Sequence, residues 1–597
     1  MLKIFSTLFI LILLITVSCK QSKDIGTSGF YEPEDPESAS QETWNSIKPG
    51  LHANFGSTDI RYSRSVPPEI VHSGNMKKTG WKGEKLNFQA ILWSTGNIAT
   101  LEISSTDLTS KKGLVIGTPY IRVRPVGYLL TDEFLTGCGH RNKDTIPAHL
   151  VPDILYSNQI FNLPAQSVRP VWLSIQIPVK VPAGTYSGAL QIMTPKDTLQ
   201  LPYSVIVQDW KLPTPTKWKF HLDLWQNPFA VARYHNVPLW SQAHWDLLEP
   251  LLSLLADAGQ KCITTSIIPR PWGGQTYDPF GSMIEWIHNS SGKWEFDYSV
   301  FDQYVEMAMR CGITEQINCY TMVPWGNRFS YFDEDSSSIV TGELLPGTVE
   351  YEELWSPFLY DFRAHLKEMG WLDKTTIALD ERGIKEMESV ISFLNETTPE
   401  IKITMAGHYF PEINDELYDY SYNWRQIRND SPEVAARRRK VGLKTTYYVA
   451  CGIPKPNNFT FSPPAESTYE GWFAAALGLD GFLRWAYNSW TIDPVHDSRF
   501  RTWPAGDTYF VYPGARSSIR FEKLRGGIQD YEKINLIKEY IKKNPTFSNL
   551  PDSLDIFSFL KEFTPKTLDD NTASEMVSKG RYILSNMSEY LIQNYGK

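Results

Sequence analysis

The chain has 597 residues, more than one hydrophobic core normally serves, so two domains are expected and a small third element has room. Its 58 Lys and Arg against 67 Asp and Glu give a net charge of −9, which argues against a nucleic-acid partner. The 20 Trp and 30 Tyr supply many flat amphipathic rings suited to the apolar faces of sugars, although large cores also use them.

Residues 1–18 read as a signal peptide, with one Lys and then an almost wholly apolar run from Ile4 to Val17 that is too short to span a bilayer comfortably. The run ends at Val17-Ser18-Cys19, which resembles the lipobox at which bacterial lipoproteins are cleaved and acylated, with Thr16 where Leu is usual. Cys19 is therefore the expected lipidation site, the membrane an expected partner through that anchor, and the bacterial cell envelope the expected location. Residues 19–43 form a polar tether rich in Ser, Pro and acids. The other cysteines, Cys138, Cys262, Cys311, Cys319 and Cys451, are scattered and odd in number, so neither a disulfide framework nor a CxxC metal site is expected.

From 44 to 210 short alternating runs are broken by Gly, Pro, Asn and Asp, as in Lys85 to Trp93, Val171 to Ile177 and Thr185 to Met193, the pattern of a β-sandwich. Leu212-Pro213-Thr214-Pro215-Thr216 reads as a stiff extended linker. From 217 to 535 strand-like runs alternate with helical stretches. Eight strands are predicted: Phe220–Trp225, Cys262–Ile268, Ile317–Val323, Thr376–Leu379, Ile401–Ala406, Leu417–Tyr422, Thr445–Cys451 and Phe482–Tyr487. The expected architecture is thus an amino-terminal β-sandwich followed by a (β/α)8 TIM-like barrel, with a carboxy-terminal helical extension over 536–597.

Asp380 and Glu381 stand side by side where the fourth strand feeds a helix, the catalytic rim of such a barrel. Taken alone, the pair also reads as a helix cap and a solvated first-turn acid. Other strand ends carry Asp223, Trp325, His408, Tyr409, Trp424, Trp485, Asn488 and Trp490, the candidate substrate-binding residues, with Trp225, Trp272, Asn327 and Asn423 nearby. Rings for stacking, amides for hydroxyls and paired acids for bond cleavage are the equipment of a glycosidase, though core packing explains any one ring as well. GxxxxGK and GxGxxG phosphate loops, HExxH zinc spacing and a GxSxG elbow are all lacking, so no metal or other cofactor is expected.

Beyond the eighth strand come Gly506-Asp507-Thr508-Tyr509-Phe510-Val511-Tyr512-Pro513-Gly514 and a helix containing Arg525-Gly526-Gly527-Ile528-Gln529-Asp530-Tyr531-Glu532. In order with Asp380-Glu381 and Gly481-Phe482-Leu483-Arg484-Trp485, these blocks resemble glycoside hydrolase family 123 over most of the chain. The resemblance implies a retaining β-N-acetylgalactosaminidase that cleaves terminal β-linked GalNAc from glycans or glycolipids, with the substrate's 2-acetamido group as nucleophile. Asp380 would orient that group and stay ionised, while Glu381 would begin protonated and protonate the leaving oxygen. A non-catalytic surface glycan-binding lipoprotein, or a β-hexosaminidase or glycosidase of other sugar specificity, remains the alternative.

Overall fold

The computed structural model describes residues 30–37, 41–70, 76–134, 138–139, 142–544 and 551–595. The leader, Cys19 and the start of the tether lie outside the described residues. Residues 30–37, expected as tether, lie on the sandwich. There Glu32 pairs with buried Arg169, Nη2 to Oε2 at 2.9 Å, and accepts the Tyr128 N–H at 2.8 Å.

The sandwich has two sheets. One is ordered Leu51–Gly56, Lys85–Ser94, Ser167–Gln176, Ile121–Thr131, His149–Leu155; the other is built on Met76–Lys82, Thr198–Lys211, Gly184–Met193, Ile98–Ser105 and Ile160–Leu163. Alternate residues point inward, so Phe88, Ala90 and Leu92 of the first sheet meet Leu190, Ile192 and Val205 of the second in a closed apolar core.

The eight predicted barrel strands all form, as His221–Leu224, Cys262–Ser266, Gln316–Tyr320, Thr375–Asp380, Lys402–Gly407, Asp419–Asn423, Lys444–Tyr448 and Gly481–Arg484. They pair in parallel in the order 1-8-7-6-5-4-3-2. Between strands one and two the ladder shrinks to a single bridge, Leu222 to Gln260. Side-chain amides finish the closure. The Leu224 N–H donates to Gln260 Oε1 at 3.0 Å and the Thr264 N–H to Gln226 Oε1 at 2.9 Å, so buried backbone groups of strands too far apart to pair are still satisfied.

Polar side chains fill the barrel interior below the mouth. His221 donates from Nε2 to Asp419 Oδ2 at 2.8 Å, while its Nδ1 accepts a hydrogen bond from Lys444 Nζ at 3.0 Å. Among the described residues, His221, Cys262 and Asp419 form the one cluster with metal-ligand spacing, but both ring nitrogens of His221 are already engaged in this network.

Two elements were not foreseen. Excursions after strands two and three build a four-stranded sheet from Glu285–His288, Trp294–Asp297, Arg328–Asp333 and Ser338–Glu343. Cys138 and Cys451, 313 residues apart, form a disulfide that joins a sandwich loop to the barrel, a pairing that the expectation of no disulfide framework did not include. Spacing could not reveal this pair, because its halves belong to different domains.

The helix carrying the Arg-Gly-Gly block spans Ile519–Lys543, across the boundary expected at 535, and docks the sandwich on the barrel. Arg520 Nε reaches buried Asp153 at 2.9 Å, Glu522 accepts from Arg124 at 2.9 Å, and Lys533 donates to Glu84 at 3.0 Å. Glu532 accepts the N–H groups of Lys219 and Phe220 at 2.7 Å, tying down the interdomain linker. Gly527 lies against Gly471 of helix Pro464–Leu477, where a Cβ on Gly471 would fall 2.2 Å from the Gly527 carbonyl oxygen, so the two helices cross at backbone distance. Buried charges survive here because each is paired.

Candidate active site

Asp380 ends the fourth barrel strand and Glu381 follows it in a left-handed conformation, φ 49°. That conformation costs a non-glycine residue about 1–3 kcal/mol and is held by the Glu381 N–H, which donates to the Ala406 carbonyl of strand five at 2.8 Å. The turn brings both consecutive carboxylates to one pocket at the carboxyl mouth of the barrel. The cap reading falls. The next helix starts at Ile384 after Gly383, whose N–H bonds Glu386 Oε2 at 3.0 Å.

The two acids stand in different surroundings. Asp380 sits deeper, above an aromatic floor in which Trp225 stacks on Trp272 at 4.8 Å and meets Tyr320 at 4.6 Å. Burial first, then the negative Glu381 beside it, push the Asp380 carboxyl well above the usual carboxylate range. Arg382 and the indole N–H groups of Trp325 and Trp272 oppose that shift, although neither indole makes a hydrogen bond of ordinary geometry. In the free site removal from water outweighs those donors. Glu381 is exposed to the pocket, and its Oε1 accepts a hydrogen bond from the Tyr448 hydroxyl at 2.7 Å. Asn423 donates in turn to the Tyr448 oxygen at 3.2 Å, which leaves the phenolic proton directed at Glu381.

The wall opposite comes from strand eight and the segment after it. Half-buried Trp485 meets Trp503 edge to face at 5.8 Å, and the Trp503 N–H bonds the Gln275 carbonyl at 2.9 Å. Asp507 is set into this wall with Oδ1 held by Arg484. Burial raises its carboxyl and Arg484 opposes the shift. The Cys138–Cys451 disulfide completes the rim, so the sandwich contributes to the pocket.

The structure brings together Asp380, Glu381, Trp325 and Trp485 of the predicted residues. The other predicted substrate contacts lie elsewhere. Asp223 is buried inside the barrel, accepting from Asn318 Nδ2 at 3.0 Å, with its carboxyl pushed up to about 8 by burial and by Asp419. His408 faces solvent outside the pocket lining, and Tyr409 lies under the Arg428 guanidinium at 3.8 Å. Trp424 packs on Phe473 at 4.2 Å, on the helix side of the barrel. Asn488 clamps Asn227 backbone groups at 2.8 and 3.0 Å, and Trp490 is fully buried with its N–H on the Val511 carbonyl at 2.8 Å. These six sit near strand ends in sequence but do not line the pocket. Tyr448, Asp507, Trp503 and the disulfide were missed as site residues; Asp507 stood in a quoted motif, the only signal available for it.

The profile described as Glycoside hydrolase 123, catalytic domain, matches residues 225–537, and that described as Glycoside hydrolase 123 N-terminal domain matches residues 55–194. The chain belongs to glycoside hydrolase family 123. It is accordingly a glycosidase, and the non-catalytic alternative is set aside. A family 123 glycoside hydrolase from Clostridium perfringens, described for glycolipid glycan hydrolysis, superposes with a TM-score of 0.83 at 26% identity, covering 91% of this chain and 99% of that one. A putative alpha-galactosidase/melibiase from Bacteroides fragilis matches at a TM-score of only 0.26 and 12% identity over 78% of each chain, too slight a likeness to bear on function. No curated protein matches the chain. Within this family 123 chain, the sandwich and barrel are the two matched domains, and the carboxylate pair lies in the catalytic one.

Proposed function

We propose that this family 123 enzyme is a retaining β-N-acetylgalactosaminidase that removes terminal β-linked GalNAc from glycans or glycolipids, with the substrate's 2-acetamido oxygen as nucleophile. The observation that carries the reading is that the two acids at the end of strand four are consecutive residues. Neighbours cannot flank a sugar ring as nucleophile and acid do in the common two-carboxylate geometry, whereas substrate assistance needs both on the acetamido and leaving-group side. The acetamido oxygen, already within reach of the anomeric carbon, replaces a protein nucleophile by proximity.

In the free site burial and the neighbouring Glu381 charge favour the protonated form of Asp380. An acetamido N–H donating to Asp380 favours its ionised form, and Glu381 supplies the proton that the leaving oxygen requires. Asp380 then faces the positive charge growing on the oxazolinium ring, and Tyr448 stabilises the Glu381 carboxylate as its proton departs.

The deciding experiment compares aryl β-galactosides bearing a 2-acetamido or a 2-hydroxyl group. The acetamido sugar is hydrolysed, the hydroxyl analogue is inert, a galacto-configured thiazoline inhibits, and Asp380→Asn loses about a hundredfold or more whatever the leaving group. Comparable turnover of the 2-hydroxy sugar overturns the mechanism; preference for the gluco configuration overturns the GalNAc assignment alone.

We also propose that the mature protein is a lipoprotein of the bacterial cell envelope, acylated at Cys19. The apolar leader ending in Ser18-Cys19 supports this, and among the described residues no helix is long and apolar enough to cross a membrane.

A further inference from the structure

Asp507 is the third carboxylate of the pocket and has no part in the steps above. It is 1% exposed, its Oδ1 is fixed by the equally buried Arg484, and its Oδ2 has no hydrogen-bond partner. A buried carboxylate oxygen left unpaired costs about 1–3 kcal/mol, so an orphan in the wall of a binding pocket marks a place where a ligand supplies the missing partner. Arg484 is itself anchored on Asn457 Oδ1 at 2.6 Å, and the Trp485 indole lies close enough to favour the Asp507 charge. The oxygen is therefore aimed by a rigid frame.

Its place in the barrel decides what it meets. Asp507 is held by strand eight, and Asp380 and Glu381 stand on strand four; in the order 1-8-7-6-5-4-3-2 these strands lie on opposite sides of the mouth. A hexosamine with C1 at Glu381 and its C2 substituent at Asp380 turns the opposite edge of its ring, C4 and the C5 arm bearing C6, toward strand eight. We propose that Asp507 is a specificity-determining residue whose Oδ2 binds the C4 or C6 hydroxyl of the terminal sugar, an inference that rests on the sugar placement given above.

The test is a cycle of wild type and Asp507→Asn against aryl 2-acetamido galactosides in their parent, 4-deoxy and 6-deoxy forms. Wild type loses about 10- to 100-fold in kcat/KM on one deoxy sugar, as expected for a missing bond to a charged group. Asp507→Asn loses a similar factor on the parent and then discriminates little between parent and that deoxy sugar. Wild-type indifference to both deletions overturns the proposal. So does an Asp507→Asn that slows parent and deoxy sugars by the same factor, which marks a purely structural or chemical role. If the variant does not fold, a wild-type complex with the galacto-configured thiazoline decides: a C4 or C6 oxygen within about 3.2 Å of Oδ2 supports the proposal, and none within that distance overturns it. Deoxy discrimination that survives alongside turnover of the 2-hydroxy sugar would remove the nucleophile assignment and leave Asp507 standing. Strict 2-acetamido dependence without discrimination removes only Asp507.

Discussion

Tyr448→Phe removes one oxygen from the pocket and leaves its ring in place. That oxygen donates to Glu381 Oε1 at 2.7 Å from a residue 6% exposed, and Asn423 on its other side fixes the direction of the proton. A hydrogen bond to a charged acceptor contributes about 1.5–3 kcal/mol, and Glu381 acquires its charge only as it gives up the acid proton. Most of that energy is therefore expressed in the transition state, which corresponds to about 10- to 100-fold in kcat/KM. The loss should depend on the leaving group. A poor leaving group needs the full proton transfer and shows the whole effect; a phenolate that departs unaided shows about a few-fold. The assay is kcat/KM for wild type and Tyr448→Phe across aryl 2-acetamido galactosides of graded phenol acidity, with melting curves to confirm folding. An equal loss at every leaving group, or none with the poorest, refutes the role given to Tyr448.

Asp223 is raised from 3.8 to about 8, so it holds a proton in the fold that it has lost in the unfolded chain over that interval. Stability from this group is full below about pH 4 and falls as pH rises toward about 8, by on the order of 4 kcal/mol at pH 7. Asp223→Asn should raise Tm more at pH 8 than at pH 5, and an equal shift at both contradicts the assignment. Cys138→Ser with Cys451→Ser should cost about 2–4 kcal/mol and raise KM more than it lowers kcat, because the bridge holds rim rather than reacting groups; unchanged Tm and KM refute this. Cys19→Ala should leave the protein unprocessed or release it from the membrane fraction, and wild-type protein found wholly soluble with an unmodified amino terminus defeats the lipoprotein proposal.

Periodicity made the architecture legible. Runs such as Ile377-Ala378-Leu379 and the helical spacing of Met387, Val390, Ile391 and Leu394 report local geometry that every chain segment must obey, and all eight barrel strands formed where such runs stood. The four-stranded excursion sheet escaped notice because its strands have few buried residues, unlike the equally short barrel strands, so burial imposes little pattern on them. Adjacency was legible too. Asp380 and Glu381 lie at a strand end by sequence position alone.

The remainder of the site depended on which way each side chain points, and neighbouring residues on a strand point oppositely. Tyr447 turns outward to bond Glu470 on the covering helix at 2.6 Å, while Tyr448 turns inward to Glu381 at 2.7 Å. Asn423 lines the pocket while Trp424, the residue predicted, packs behind it on Phe473. By itself the sequence determined the order of elements, the strand end that carries the acids and the motifs of the family, because these follow from local spacing. Only the tertiary structure decided that Tyr448 meets Glu381, that Asp507 enters the pocket wall held by Arg484 of strand eight, and that Cys138 reaches Cys451 across 313 residues. Each of those contacts is set by barrel closure and domain docking, which bring together residues whose separation along the chain carries no trace of their distance in space.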